Sequence, residues 1–95
     1  MFLNPIVKVE IESEGEINGF FTIHYKDGSI RSGWSCDQGS IEMDDGEGID
    51  QSISTGLMDL WFGMDIPEED NDHRFFSTWT PEKGLSPTTE ELLEG

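Results

Sequence analysis

The sequence feature that most constrains the fold is an Asp-Gly pair, Asp27-Gly28, between two segments rich in β-forming residues. Residues 20–25 precede the pair and residues 30–36 follow it. Asp-Gly favours the two-residue turn of a β-hairpin, because both central positions of that turn adopt positive φ. The sequence therefore predicts an antiparallel hairpin over residues 20–36.

A two-residue loop sorts the side chains of this hairpin into two faces. It places Tyr25 opposite Ile30, and side chains then alternate between the faces along each strand. The predicted apolar face collects Phe21, Ile23, Tyr25, Ile30, Trp34 and Cys36. The other face is mostly polar and collects Phe20, Thr22, His24, Lys26, Ser29, Arg31, Gly33 and Ser35. We therefore expect Trp34 and Cys36 in the core.

Three further segments have the pattern of strands. Residues 6–12 alternate polar residues with Val7, Val9 and Ile11, which is typical of a half-buried strand with these three side chains inward. Residues 40–44 predict a short strand with Ile41 and Met43 inward. Residues 73–80 are rich in β-forming residues and end at a proline, which predicts a last strand.

One helix is predicted after the strands of the first half. It begins at Asp50 or Ser52, either of which is a good N-cap residue, and ends at about Phe62, before Gly63. Residues 81–95 are expected to be a frayed tail with a short helix after Ser86. These elements predict a single compact acidic domain over residues 1–95 with an α+β fold, in which about four to five antiparallel strands pack against one principal helix.

The net charge constrains function more than fold. Twenty-one Asp and Glu residues face five Lys and Arg residues, which gives a formal charge of -16. A small domain needs a net charge of only roughly 2–8 for solubility, and further like charges oppose compaction. The excess indicates a cationic partner, and basic nucleic-acid-binding surfaces of proteins are the commonest of these. Direct binding to nucleic acid or to an anionic membrane is not expected, because both repel the chain.

The residues expected to bind this partner are carboxylates in three segments. Alternate residues of a strand are spaced ~6.6–6.8 Å, about two phosphate steps along a DNA strand. The first segment shows this spacing, and the other two are predicted loops. The predicted partner-binding residues are Glu10, Glu12, Glu14, Asp44, Asp45, Glu47, Glu68, Glu69, Asp70 and Asp72.

The sequence does not indicate an enzyme, a cofactor or a metal site. Cys36 and His24 are predicted to point to opposite faces, so they do not form an activated pair. The acidic stretch at residues 44–50 departs from the EF-hand pattern, which leaves a weak calcium-binding module as an alternative. A single cysteine forms no intrachain disulfide, which favours a reducing cytoplasm.

In size and charge the chain resembles phage-encoded DNA-mimic inhibitors, among them anti-CRISPR and anti-restriction proteins. The resemblance covers composition and carries no shared motif. It implies a stoichiometric inhibitor that acts in the cytoplasm of a host cell. An immunity protein that neutralises a basic nuclease toxin is the alternative, and a neighbouring toxin gene would indicate it. Trp61 and Phe62 diverge by about 100° around a helix, so one of them is a candidate surface anchor.

Overall fold

The computed structural model describes residues 6–15, 18–36, 40–66 and 73–92. In these residues the chain forms seven strands and one helix: β1 (Ile6–Glu14), β2 (Asn18–Tyr25), β3 (Ile30–Cys36), β4 (Glu42–Met43), α1 (Gln51–Phe62), β5 (His73–Thr80), β6 (Gly84–Leu85) and β7 (Thr89–Leu92). The α+β prediction is confirmed, with more strands than the four or five expected.

The strands form one antiparallel sheet in the order β4-β3-β2-β1-β5-β6, and β7 also pairs with β5. Helix α1 lies between β4 and β5 in the chain and covers one face of the sheet. The core joins β1, β2 and β5 to α1 through Val9, Ile11, Phe21, Ile23, Phe75, Trp79, Ile53, Leu57, Leu60 and Trp61. We call the face of the sheet that α1 covers the helix side, and we call the opposite face the open face.

Strand β1 departs from simple alternation at its beginning. Its pairing with β2 shifts between Ile6 and Lys8, which is a β-bulge. Ile6 is therefore buried and Val7 is exposed, whereas Val9 and Ile11 are buried as predicted. The expectation that Val7 points inward was wrong because a bulge inserts one residue and changes which side chains face the core.

The hairpin forms where predicted, but its register differs by one residue. Tyr25 pairs with Ser29 across a three-residue loop, through bonds from Tyr25 N to Ser29 O (2.9 Å) and from Gly28 N to Tyr25 O (3.0 Å). Gly28 has a φ of 90°, as the last residue of such a loop requires. The Asp27 carboxylate accepts bonds from the amide and the hydroxyl of Ser29. These bonds lower the pKa of Asp27.

The shift reverses the faces of β3, because side chains alternate with a period of two. Ile30, Trp34 and Cys36 are exposed, so the prediction that they enter the core was wrong. Gly33 and Ser35 are buried in their place. A Cβ at Gly33 would lie 2.8 Å from the Glu42 carbonyl oxygen, so this position has no room for a larger residue.

Helix α1 begins and ends at two predicted cap residues, Asp50 and Gly63, but it lacks the capping hydrogen bond expected at its beginning. Asp50 occupies the N-cap position, and its side chain makes no capping hydrogen bond. Gly63 is the C-cap residue in a right-handed conformation, with φ −77°. Its amide donates to the carbonyl oxygens of Asp59 and Leu60. The chain therefore leaves the helix without the left-handed glycine typical of many helix ends.

The side chain of Trp61 joins α1 to the sheet. Its Nε1 donates to Ser13 Oγ (2.8 Å), and that hydroxyl donates to the Gly15 carbonyl oxygen (2.6 Å). The Trp61 ring lies against Gly19, where a Cβ would be 2.9 Å from it. It also meets Phe21 edge-on, with ring centroids 6.0 Å apart. Trp61 is thus a core residue that fixes the helix over β1 and β2.

The predicted tail helix was wrong, because residues 84–92 extend the sheet. Strands β6 and β7 both pair with β5, and the pairing gains one residue between Leu85 and Thr89. Ser86 joins the two strands to β5: its amide donates to Thr78 O, and its hydroxyl accepts the Thr78 amide. Pro87 follows in the bulge, where a residue without an N–H is tolerated.

Candidate functional site

The open face presents one row of side chains that crosses the sheet. Its members are directly opposite one another in successive strands: Glu42, Trp34, Phe20, Glu12, Phe76 and Thr89. Trp34 is 40% exposed and Phe20 is 38% exposed, while Phe76 is partly buried. No described element covers these rings. The row combines aromatic surface with carboxylates, which is a composition suited to binding.

The predicted register concealed this aromatic row. It placed Phe20 on a polar face and Trp34 in the core, on opposite sides of the hairpin. The sequence carries a signal for the observed arrangement, since Gly33 and Ser35 alternate with Trp34 and are small enough for a crowded position. The three-residue loop Lys26-Asp27-Gly28 agrees with it.

The three carboxylates of β1 lie on the open face. Glu10, Glu12 and Glu14 occupy alternate positions of a continuous strand. Two of them have a nitrogen partner: His24 Nε2 lies 2.5 Å from Glu10 Oε1 in a hydrogen bond, and Arg74 Nε lies 3.4 Å from Glu12 Oε2 in an ion pair. An ionised carboxylate accepts about four hydrogen bonds, so each keeps capacity for a further donor.

A shallow groove of about 280 Å³ lies over the middle of the open face. Its centre is β1, with Glu10 and Glu12, and its two walls belong to β2 and β5. Phe20 and Phe76 stand on either side of Glu12, whereas two threonines, Thr22 and Thr78, stand on either side of Glu10. The groove therefore has an aromatic end and a hydroxyl end, with a carboxylate in each.

The acidic loop before α1 is held in place by Arg31. Arg31 Nε and Nη2 contact the two carboxylate oxygens of Asp45 at 3.0 and 3.1 Å, and Nη2 also donates to the carbonyl oxygens of Glu47 and Gly48. The Arg31 guanidinium and the Glu47 amide lower the pKa of Asp45, and the same ion pair raises the pKa of Arg31. Asp45 thus fixes the loop, while Asp44 and Glu47 present exposed side chains.

The remaining predicted acidic residues, Glu68, Glu69, Asp70 and Asp72, lie outside the described residues. The structure therefore brings together Glu10, Glu12 and Glu14 on one face. It places Asp44, Asp45 and Glu47 in a separate loop after β4.

A second surface lies along α1. Trp61 is 2% exposed and Phe62 is 55% exposed, although their rings stack with centroids 6.5 Å apart. Phe62 lines a groove of about 560 Å³, together with Ile41, Ile49 and Met58. Of the two adjacent aromatic residues, Phe62 is therefore the one available to a partner.

The reactive side chains are arranged differently from the prediction. Cys36 and His24 share the open face, because β3 is reversed. They lie near opposite ends of the hairpin, six residues apart along β2, or ~20 Å. Among the described residues, no group of three or more His, Cys, Asp or Glu side chains is placed to hold a metal ion.

No helix in the described part of the chain is long and apolar enough to cross a membrane. No protein-family model matches the sequence, and comparisons with curated proteins and with solved structures found no match either.

Proposed function

We propose that this protein is an acidic stoichiometric inhibitor that occupies a basic nucleic-acid-binding surface of another protein, in the manner of the DNA-mimic inhibitors that phages encode. It acts in the cytoplasm of the host cell. The observation that carries the proposal is the charge of -16 on a chain of 95 residues. Such a field attracts a protein surface that is built to hold phosphates.

The open face supports the proposal by combining charge with contact area. Carboxylates supply long-range attraction and speed association, whereas buried aromatic residues supply most of the affinity in protein interfaces. Glu10, Glu12 and Glu14 provide the first, and Phe20 and Trp34 provide the second. None of the described charged residues is buried, since the buried polar residues of the described chain are Ser13, Ser35 and Ser77. Among the described residues, packing of the core therefore does not account for the acidic excess.

The proposal is tested by titrating the protein into DNA-cleavage reactions of a CRISPR effector nuclease and of a restriction endonuclease. Cleavage by the target enzyme should stop at about one inhibitor molecule per active enzyme. Inhibition should weaken steeply when salt is raised, because exposed charges are screened over about 10 Å at 0.1 M. Nucleic acid bound to the enzyme beforehand should protect it.

A polyglutamate peptide of equal total charge is the matched control, and it should not inhibit at stoichiometric concentration. An enzyme that binds the protein equally well before and after loading with nucleic acid would contradict occupation of the nucleic-acid surface. Inhibition by polyglutamate at the same concentration would show that bulk charge is sufficient without this fold.

A further inference from the structure

The groove on the open face has the spacing and chemistry of a receptor for one planar cation. Phe20 and Phe76 belong to strands on either side of β1, so their backbones are separated by two strand spacings, ~9.4–9.8 Å. A flat group in van der Waals contact with a ring on each side needs about 7–8 Å between the rings. Glu12 lies between the two phenylalanines and supplies a carboxylate.

This combination selects a guanidinium group over an ammonium group. Arginine is planar, stacks on aromatic rings and donates two parallel hydrogen bonds to a carboxylate. Lysine carries a compact, strongly hydrated charge that does not stack in this way. The open face already holds one guanidinium, since Arg74 Nε lies 3.4 Å from Glu12 Oε2. Nε of Arg74 is buried and makes no hydrogen bond, so Arg74 leaves capacity on the carboxylate.

Charge decides between the possible occupants of the open face. A second copy of this chain also carries -16, so two copies repel each other, and a nucleic acid or an anionic lipid is repelled for the same reason. A basic protein surface is attracted. Within such a surface, arginine is the residue that matches the aromatic end of the groove.

We propose that the groove between Phe20 and Phe76 receives an arginine side chain of the basic partner, with its guanidinium stacked on the two rings and bonded to Glu12. Glu10, one step along β1, adds negative charge at the hydroxyl end of the groove. This inference rests on the proposed function for the identity of the partner as a basic protein, and it names the group by which that partner is recognised.

The test uses two capped peptides of equal length and charge, one with alternating glycine and arginine and one with alternating glycine and lysine. Binding to the whole protein is measured by calorimetry at low salt. The arginine peptide should bind more tightly than the lysine peptide, by up to roughly two- to five-fold for each ring that it contacts.

The double variant Phe20→Leu/Phe76→Leu keeps apolar side chains but removes the rings. Its ratio of affinity for the arginine peptide to affinity for the lysine peptide should therefore fall to about one. Phe62→Leu is the matched control: it removes an exposed ring from α1 and should keep the preference. Glu12→Gln should weaken binding of the arginine peptide more than Asp59→Asn, which removes one charge from the exposed surface of α1. Thermal melts of every variant show whether the fold is retained.

Equal binding of the two peptides to the unmodified protein would overturn the proposal. So would an unchanged arginine preference in a folded Phe20→Leu/Phe76→Leu variant. Either result together with intact, salt-sensitive inhibition of a nuclease would leave the proposed function standing. A clear arginine preference that depends on the rings, without inhibition of any nucleic-acid enzyme, would instead contradict the proposed function alone.

Discussion

The two faces of the sheet use the same residue types under opposite constraints. Two strands carry adjacent phenylalanines, Phe20-Phe21 in β2 and Phe75-Phe76 in β5, and each pair sends one ring to each face. Phe21 is 1% exposed beneath α1, whereas Phe20 is 38% exposed on the open face. Both members of each pair are phenylalanine, so the residue type does not explain their different exposure. The difference arises because α1 covers one face of the sheet and no described element covers the other.

The helix side is closely packed against other parts of the chain, whereas the open face presents its side chains to solvent. On the helix side, Gly19 and Gly33 are small because the Trp61 ring and the β4 backbone occupy the space that a side chain would need. On the open face the corresponding positions carry Phe20 and Trp34. Substitutions should therefore affect stability on one face and binding on the other.

The largest expected contrast is between the two neighbouring phenylalanines of β2. Phe21→Ala should lower the free energy of unfolding by about 3–5 kcal/mol, because it removes a fully buried ring and leaves a cavity. Phe20→Ala should cost less than about 1 kcal/mol, since its ring is already partly hydrated. Urea unfolding of both variants measures the difference, and equal losses would mean that the open face is covered in solution.

A smaller effect is expected where the helix side has no room. Gly19→Ala should destabilise the protein by about 2–3 kcal/mol, because its Cβ would lie 2.9 Å from the Trp61 ring. Gly48→Ala is the matched control, since a Cβ there meets no atom within 4 Å. Denaturant melts of the two variants should separate clearly. A stable Gly19→Ala would show that Trp61 can move away from β2.

The buried hydrogen bond of Trp61 tests a polar feature of the helix side. Ser13→Ala removes the acceptor of the indole N–H and should cost about 1–2 kcal/mol, because the donor then stays buried without a partner. Ser32→Ala, at a partly exposed open-face position of β3, is the comparison and should change stability little. A change in the near-ultraviolet circular dichroism of Ser13→Ala would report the altered surroundings of Trp61.

The elements of this fold could be predicted from local patterns. The alternation of residues 6–12, the helical stripe of residues 53–61 and the β-forming segment 73–80 each report one backbone period, and the structure confirms all three. The tail could not be predicted in this way. Ser86 and Pro87 are a good helix start, yet the open edge of β5 offers unpaired backbone groups that a short isolated helix does not satisfy.

The candidate site was only half predictable, and one residue of register accounts for this. The positions of Glu10, Glu12 and Glu14 depend on a single strand, so alternation alone places them together. The meeting of Phe20 with Trp34 depends on loop length, because Asp-Gly suits a two-residue loop and also ends a three-residue one. The lack of space at Gly33 decides between the two loops, and that crowding exists only in the assembled fold.

The smallest expected effect is a difference in melting temperature between variants of an acidic residue that stabilises a loop and of an acidic residue that is only exposed. The Arg31 guanidinium holds the pKa of Asp45 below its usual range, so Asp45 contributes stability above the ordinary aspartate pKa, about 3.9, and that contribution is lost as pH falls through the lowered value. Asp45→Asn should therefore melt slightly below the unmodified protein at pH 7, and the two should melt at the same temperature once the pH is below the lowered pKa of Asp45. Asp59→Asn should melt at an equal or higher temperature at pH 7, since it removes a negative charge near the carboxyl end of α1. If Asp45→Asn still melts below the unmodified protein in acid, the loop depends on the shape of the side chain and not on its charge.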